Sequence, residues 1–143
     1  MQDYMVQCLN SIFSQDCRIE PNGQLSIISI YSRIIVPDIP ATIPLCFTCF
    51  FELSLEKYKQ SDVKELEVRI LVNAPWGANF SDIRRNLPFT QISDKTARSN
   101  FAIPFGKMDF LDYGKYEFQV FINNRLIHTN FLEIIEEEKT TNP

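Results

Sequence analysis

The sequence predicts an all-β fold, an antiparallel β-sandwich of seven to eight strands, and three observations lead to it. Aromatic residues make up 13% of the chain, and together with the many Ile and Val residues they favour strands over helices. Apolar and polar residues alternate in most segments, which is the pattern of a half-buried strand. Clusters of Pro, Asn and Gly separate these segments at short intervals, as in hairpins rather than in strands that alternate with helices.

Size and charge narrow the protein class. A chain of 143 residues is long enough for one domain with its own core; we predict a single domain over residues 1–135 and a frayed acidic tail over residues 136–143. The net charge of −4 argues against nucleic-acid binding. No secretory signal and no bilayer-spanning apolar segment is evident. We therefore expect a cytoplasmic protein that binds neither nucleic acid nor a membrane, with four free cysteine thiols.

The first half of the chain predicts three strands. Residues 24–36 alternate after a Pro-Asn-Gly turn signal and form the first strand. Prolines make residues 37–44 a stiff loop, because proline cannot donate to a strand ladder. Residues 45–55 are the strongest candidate for a central strand, since every second residue is apolar. A polar connection over residues 56–64 then leads to a cleanly alternating strand at residues 65–72.

The second half contains one ambiguous segment and three predicted strands. Residues 80–92 fit a short helix, an edge strand or an irregular loop equally well. Residues 97–105 alternate, and Pro104 indicates an edge or a strand end. The last two strands, residues 115–122 and 125–134, are joined by an Asn-Asn pair, which tolerates the left-handed conformation of a type I′ hairpin.

The motif Asp112-x-Gly114-x-Tyr116, followed by Phe118, resembles the tyrosine corner of immunoglobulin-like and fibronectin-type β-sandwiches. The resemblance implies that the chain crosses between sheets here, and that Tyr116 buries its ring while its hydroxyl bonds an upstream main-chain group. Phe118 stands where antibody domains carry their second Cys, which implies a sandwich without an inter-sheet disulfide. The layout also resembles families of small, uncharacterised bacterial single-domain proteins. Asp109 and Asp112 leave a calcium site beside the corner open as an alternative to solvated charges.

Two features could carry chemistry, the CxxC at Cys46 and Cys49 and the single histidine, His128. Residues three apart in an extended strand point to opposite faces, so we expect buried thiols rather than a zinc or redox site. A regular two-residue hairpin places His128 on the solvent face, opposite Gln119. We therefore predict no catalytic residue, no metal, no cofactor and no enzymatic activity.

The loops suggest a function in binding. If successive connections alternate between the two ends, the proline-rich loop, residues 73–96 and the Asn-Asn turn share the end opposite the tyrosine corner. We predict a non-enzymatic protein-interaction module, an adaptor or assembly protein, whose partner is another protein or a second copy. A small-ligand or carbohydrate-binding sandwich, with Trp76 and Tyr113 as stacking platforms, is the alternative. A third hypothesis, an enzyme, would require chemistry from His128 or the cysteines. The apolar loop residues could also serve only to cap the core. The candidate interaction residues are Ile39, Ile43, Trp76, Phe80, Phe121 and Leu126.

Overall fold

The computed structural model describes residues 4–138 and shows two five-stranded sheets packed face to face. Within that range, the strands and the one short helix are, in chain order, β1 Val6–Ile19, β2 Leu25–Tyr31, β3 Ile34–Val36, β4 Ala41–Ser54, α1 Leu55–Gln60, β5 Glu67–Asn73, β6 Asn79–Asn86, β7 Thr90–Gln91, β8 Thr96–Phe110, β9 Gly114–Ile122 and β10 Arg125–Glu136. Sheet A has the order β2-β1-β4-β8-β7, and sheet B the order β3-β10-β9-β5-β6. All neighbours are antiparallel except β3 and β10. The predicted all-β sandwich is confirmed.

Residues 4–138 contain ten strands rather than the predicted seven to eight, because the alternation pattern merged some strands and missed others. The predicted strand at residues 24–36 divides into β2, at the edge of sheet A, and β3, at the edge of sheet B. No clean alternation marks β1, since polar residues and a bulge at Leu9 interrupt its pattern. The ambiguous residues 80–92 contain most of β6 and all of β7, so the strand alternative is the correct one there.

The connections on either side of β4 differ from those predicted, the first being shorter and the second longer. The stiff loop spans only residues 37–40, because β4 already pairs with β8 from Ala41 onward. The polar connection after β4 contains α1, which begins after Ser54, whose hydroxyl caps the helix by accepting from the Lys57 amide (3.4 Å). Among the described residues, no helix is long and apolar enough to cross a membrane.

Beyond Arg98, β8 has no strand pairing with β7, which agrees with the edge position predicted for Pro104.

The core lies between the two sheets and is rich in aromatic rings. The predicted central strand is confirmed, since Leu45, Phe47, Phe51 and Leu53 of β4 are all buried. Three rings join the sheets: Phe13 and Phe47 of sheet A lie 4.8 and 5.1 Å from Phe118 of sheet B, measured between ring centroids. Such pairs add about 0.5–1.5 kcal/mol each beyond the burial of their area.

The tyrosine corner is confirmed. β8 ends in sheet A and β9 begins in sheet B, so the chain crosses between the sheets at the predicted position. Tyr116 is fully buried, and its hydroxyl donates to the carbonyl oxygen of Asp112 (3.0 Å). Gly114 has φ +127°, and a Cβ on it would lie 2.9 Å from the Cβ of Pro75. Glycine is therefore required both by the backbone conformation at this position and by the close approach of the turn between β5 and β6, which contains Pro75.

The Asn-Asn hairpin is also confirmed, with φ +47° at Asn123 and +67° at Asn124. The Asn123 side chain does more than tolerate this conformation: its Oδ1 accepts from the Glu67 amide (2.8 Å) and its Nδ2 donates to the Glu65 carbonyl (3.1 Å). These bonds fasten the hairpin to the start of β5. One residue after Leu126, however, a bulge shifts the register of β10 by one position.

The prediction of four free thiols is wrong, because Cys17 and Cys46 form a disulfide with their Cα atoms 6.3 Å apart. The bond joins β1 to β4 within sheet A, so no disulfide links the two sheets among the described residues. It also removes the thiol argument for a cytoplasmic location, which stays a prediction. The proposed frayed tail falls largely on residues 139–143, outside the described residues; β10 itself continues to Glu136.

The disulfide fastens an arm, defined here as residues 15–29, across the outer face of sheet A. Cys46 and Thr48 point away from the core, on the side opposite Phe47, yet they are 2% and 0% exposed. The arm bends at Ser29, which has φ +56°, and its tip at Gly23 shares a shallow depression with Arg98 and Asn100 on the outer face of β8. The arm therefore covers the middle of this face.

Candidate functional site

Three of the six predicted interaction residues belong to the core. Ile43 is buried, and Ile39 is half-buried against the core cluster. The Phe80 ring stacks on Phe110 (5.7 Å between centroids) and meets Tyr116 edge-on (5.3 Å). For these residues the core-capping hypothesis describes the observed packing.

The predicted cluster of loops at one end does not form. The Trp76 turn joins β5 to β6 and packs beside the tyrosine corner, through the contact between Pro75 and Gly114. The Asn123 turn lies at the opposite end, where it bonds the start of β5. The expected alternation of connections treated residues 73–96 as a single connection. Because residues 80–92 contain strands, this segment holds more than one connection, and the later connections change ends. Trp76 itself is 53% exposed and shares its end of the sandwich with Tyr113.

The other predicted residues, Phe121 and Leu126, lie directly opposite each other on the outer face of sheet B. The bulge in β10 adds Phe131 to this face, although a regular hairpin would have turned Phe131 into the core. Leu126 and Phe131 are both 48% exposed. We call Leu71, Phe121, Leu126 and Phe131 the apolar patch of sheet B. From the sequence, Phe131 could have been assigned to this face only if the bulge itself had been predicted.

Charged and amide side chains border the apolar patch on the β5–β6 side. Arg69 binds Asp82 through two hydrogen bonds of 2.9 Å each and places its guanidinium carbon 5.6 Å from the Phe121 ring centroid. The hydrogen bond from Arg69 lowers the pKa of the Asp82 carboxyl below its usual value. A second pair, Arg84 with Glu67 (3.1 Å), lies beside it. Gln119, which pairs with both Leu71 and Thr129, lies between the apolar residues of the patch, and the paired charges lie along its β5–β6 side.

A cleft of about 440 Å³ opens at the end of the sandwich that carries α1 and the Asn123 turn. Its floor is formed by buried core residues, Leu53, Leu66, Leu87 and Ala97. Half-buried Leu55, Tyr58 and Phe89 form the walls, and Lys64, Glu65, Asn86 and Gln91 form the polar border. No sequence pattern marks this cleft, because its residues come from four separate segments, 53–58, 64–66, 86–91 and Ala97.

His128 does not lie on the solvent face, and this prediction is wrong. The bulge pairs His128 with Val120, so the imidazole points inward and reaches sheet A, where Nε2 lies 2.8 Å from the Ser11 hydroxyl. Asn130 Nδ2 donates to the same hydroxyl (2.7 Å), which leaves the Ser11 proton available for a neutral imidazole. Burial lowers the pKa of His128, in agreement with a neutral ring. Ser11 is only 8% exposed, so the trio is placed to join β1 to β10 rather than to meet a substrate.

The remaining candidate groups do not converge on a metal site. Asp109 accepts a hydrogen bond from the Thr42 hydroxyl (2.6 Å), and Asp112 serves the corner through its main chain. Cys46 and Cys49 lie on opposite faces of β4, as predicted from their spacing. Within residues 4–138, no three His, Cys, Asp or Glu side chains are grouped so that they could hold a metal ion.

Comparison with known proteins places the chain in a family. The sequence model of the family of unknown function DUF6941 matches residues 10–135. The chain belongs to the DUF6941 family. Among solved structures, this DUF6941 chain is similar to an immunoglobulin-like protein from Pseudomonas aeruginosa, with 10% identity and a TM-score of 0.41 over 90% of this chain and 95% of that one. No curated protein matches the chain significantly. The bacterial origin suggested by the layout stays a prediction.

Proposed function

We propose that this DUF6941 member is a non-enzymatic protein-interaction module, and that the apolar patch of sheet B is its binding surface. The observation that carries the proposal is the contrast between the two outer faces. On sheet A, the arm covers Cys46 and Thr48, which are 2% and 0% exposed. On sheet B, the larger side chains of Leu126 and Phe131 are 48% exposed.

The chemistry of the patch suits a protein partner. Protein interfaces commonly combine an apolar, often aromatic centre with a polar border, and Arg and aromatic residues dominate their binding energy. Phe121 and Phe131 supply aromatic anchors, and Arg69 is held in place over Phe121 by its two bonds to Asp82. A preorganised Arg loses little side-chain entropy when a partner binds.

Charge substitution in the patch tests this function. The double variant Leu126→Lys/Phe131→Lys should lose a partner that the wild-type protein captures from its native cells, because a buried, unpaired ammonium opposes binding. We expect about a 30-fold or greater loss of affinity, the level of an interface hot spot. If the partner is a second copy, light scattering after gel filtration should show the wild type as a dimer and the variant as a monomer.

The matched control is Ile19→Lys/Ile30→Lys, on β1 and β2 of the other sheet. Ile19 and Ile30 are 81% and 64% exposed, so these changes also place two lysines at exposed apolar positions. The control should retain the partner, and both variants should unfold at the wild-type urea concentration to within experimental error. Capture that is equal for all three proteins would remove the patch from consideration.

A second candidate function, binding of a small ligand, rests on the cleft beside α1. Its volume of about 440 Å³ is within the range of drug-sized ligand sites, and its apolar floor with aromatic walls favours an apolar molecule with a polar group at one end. Thermal-shift screening with aromatic acids and amides would test it. A ligand should raise the melting temperature of the wild type and of the patch variant equally, while Ala97→Leu, which fills the floor, should abolish the shift. No shift for any probe would leave the protein-interaction function as the sole candidate.

A further inference from the structure

Cys8 and Cys49 form a second cysteine pair between the strands that carry the disulfide. Cys8 lies opposite Phe51 and Cys49 lies opposite Ser11 on the antiparallel strands β1 and β4, with the Leu9 bulge between them. Phe51 and Cys49 both point into the core, so Cys8, which faces the same side as Phe51, lies diagonally beside Cys49. Each thiol shifts the pKa of the other, which agrees with this adjacency.

The two members of this pair differ in access to solvent. Cys49 is 1% exposed and therefore closed to any reagent from outside. Cys8 is only half-buried and sits at the bulge, next to Leu9, which is 53% exposed. A reagent in solution can therefore reach Cys8 first and Cys49 only through Cys8.

We propose that Cys8 and Cys49 are a redox site, at which a small-molecule disulfide of the glutathione class converts the two thiols into a second cross-strand disulfide. Cys8 is the attacking thiol, and Cys49 is the resolving thiol.

Electrostatics supports this assignment of roles. The hydrogen bond from Cys49 is the main cause of a lowered pKa at Cys8. Burial, followed by the interaction with Cys8, raises the pKa of Cys49 well above its usual value. In its thiol form Cys8 donates to the Asn10 carbonyl (3.3 Å), and in its thiolate form it accepts the Cys49 proton. The thiolate, which is the nucleophile, therefore forms on the accessible member of the pair.

The chemistry is two successive thiol–disulfide exchanges. Cys8 thiolate attacks one sulfur of glutathione disulfide; that S–S bond breaks, and one glutathione thiolate leaves and takes a proton from water. Cys49 then attacks Cys8 Sγ in the mixed disulfide; the bond between Cys8 and glutathione breaks, and the departing glutathione thiolate takes the proton that Cys49 loses. Two protein thiols are oxidised to one disulfide, and one glutathione disulfide is reduced to two thiols.

The existing disulfide does not take part in this exchange. Cys46 points to the outer face of β4 and is bound to Cys17 of the arm, whereas Cys49 points into the core. The body of sheet A separates the two pairs. Oxidation of Cys8 and Cys49 therefore adds a second link between β1 and β4 without loss of the first.

Disulfide mapping tests the proposal directly. Trypsin is unsuitable, because it leaves Cys8 with Cys17 in one peptide and Cys46 with Cys49 in another; chymotryptic cleavage after Phe13 and Phe47 separates all four. After incubation of the purified protein with glutathione disulfide, acid quenching and alkylation, we expect a linked peptide pair containing Cys8 and Cys49. The Cys17–Cys46 pair should be unchanged.

Single variants identify the roles. Cys49→Ala should stop at the mixed disulfide, with one glutathionyl group retained on Cys8. Cys8→Ser should leave Cys49 unmodified in the folded protein, at least about tenfold slower to react than Cys8 in the wild type. The intact Cys17–Cys46 link and the urea midpoint report whether each variant is folded. Any of three results would overturn the proposal: a stable mixed disulfide in the wild type, unchanged thiols in the wild type, or modification of Cys49 in folded Cys8→Ser. The first two results are read from the wild-type protein and do not depend on the folding of a variant.

Discussion

Tyr116 bonds the main chain of Asp112 twice, since its hydroxyl donates to the carbonyl oxygen at 3.0 Å and accepts from the amide nitrogen at 3.3 Å. The ring of Tyr116 is fully buried between the sheets, next to Phe110 (4.8 Å between centroids) and Phe80. One side chain thus joins the crossover from sheet A to the beginning of β9. The stability of the corner depends on both the ring and the hydroxyl.

Removal of this hydroxyl tests its contribution. Tyr116→Phe keeps the ring but leaves the Asp112 carbonyl and amide without their partner, so we expect a loss of about 1–2 kcal/mol in the free energy of unfolding. Urea denaturation followed by Trp76 fluorescence measures the loss. Tyr113→Phe, at a partly exposed tyrosine three residues away, is the control and should stay within about 0.5 kcal/mol of wild type. Equal effects of the two substitutions would contradict the role given to the corner.

Gly114→Ala should be among the most destabilising single-methyl additions in the chain. It combines a backbone with φ +127° and a new Cβ 2.9 Å from the Pro75 Cβ. Gly23→Ala is the matched control, because Gly23 also has positive φ (+84°) but a Cβ there would meet no atom within 4 Å. We expect Gly23→Ala to cost about 1 kcal/mol and Gly114→Ala about 2–3 kcal/mol more, from urea midpoints. A difference near zero would show that Pro75 moves freely.

Reduction of the Cys17–Cys46 bond should lower stability by about 2–4 kcal/mol, because the bond closes a segment of 29 residues. It should also increase amide hydrogen exchange in the arm, which the bond holds against sheet A. Cys17→Ala reproduces the reduced state, so the reductant should have no further effect on this variant. If reductant destabilised Cys17→Ala as much as wild type, the loss would come from another source.

Stability should fall in acid partly through His128. Its pKa is lowered by burial, so below the usual value of 6.5 the unfolded chain binds the proton before the folded chain does. The contribution of His128 is therefore complete above pH 6.5 and is lost as the pH falls through that value toward the folded pKa. The urea midpoint of His128→Gln, compared with wild type across this range, isolates the effect from that of the carboxylates. If the urea midpoints of the two proteins changed in parallel with pH, His128 would make no contribution to the loss of stability in acid.

Features that depend on neighbours in the chain were predictable from the sequence. The corner needs Gly114 and Tyr116 two residues apart, and the hairpin needs two residues that accept positive φ. The central strand followed from alternation, because a strand between two others must bury one whole face. Each of these patterns is read within about ten residues, where local geometry decides the conformation.

Much of the candidate site was not predictable in the same way. The bulge after Leu126 reverses the faces of every later residue of β10, so Phe131 becomes exposed and His128, which is half-buried, points inward. The cleft and the pair formed by Cys8 and Cys49 depend on residues from distant segments. The partner of Cys46 depends on the arm folding back over sheet A, for which the sequence carries no local signal.

By itself, the sequence determined that this chain is an all-β sandwich with a tyrosine corner, a tight Asn-Asn hairpin and a Phe-rich core. Only the tertiary structure decided which face each residue of β10 presents, which cysteines meet, and which outer face remains open. The physical reason is the two-residue period of a strand. One inserted residue exchanges the inside for the outside, and the free energy that favours the insertion comes from packing against strands far away in the chain.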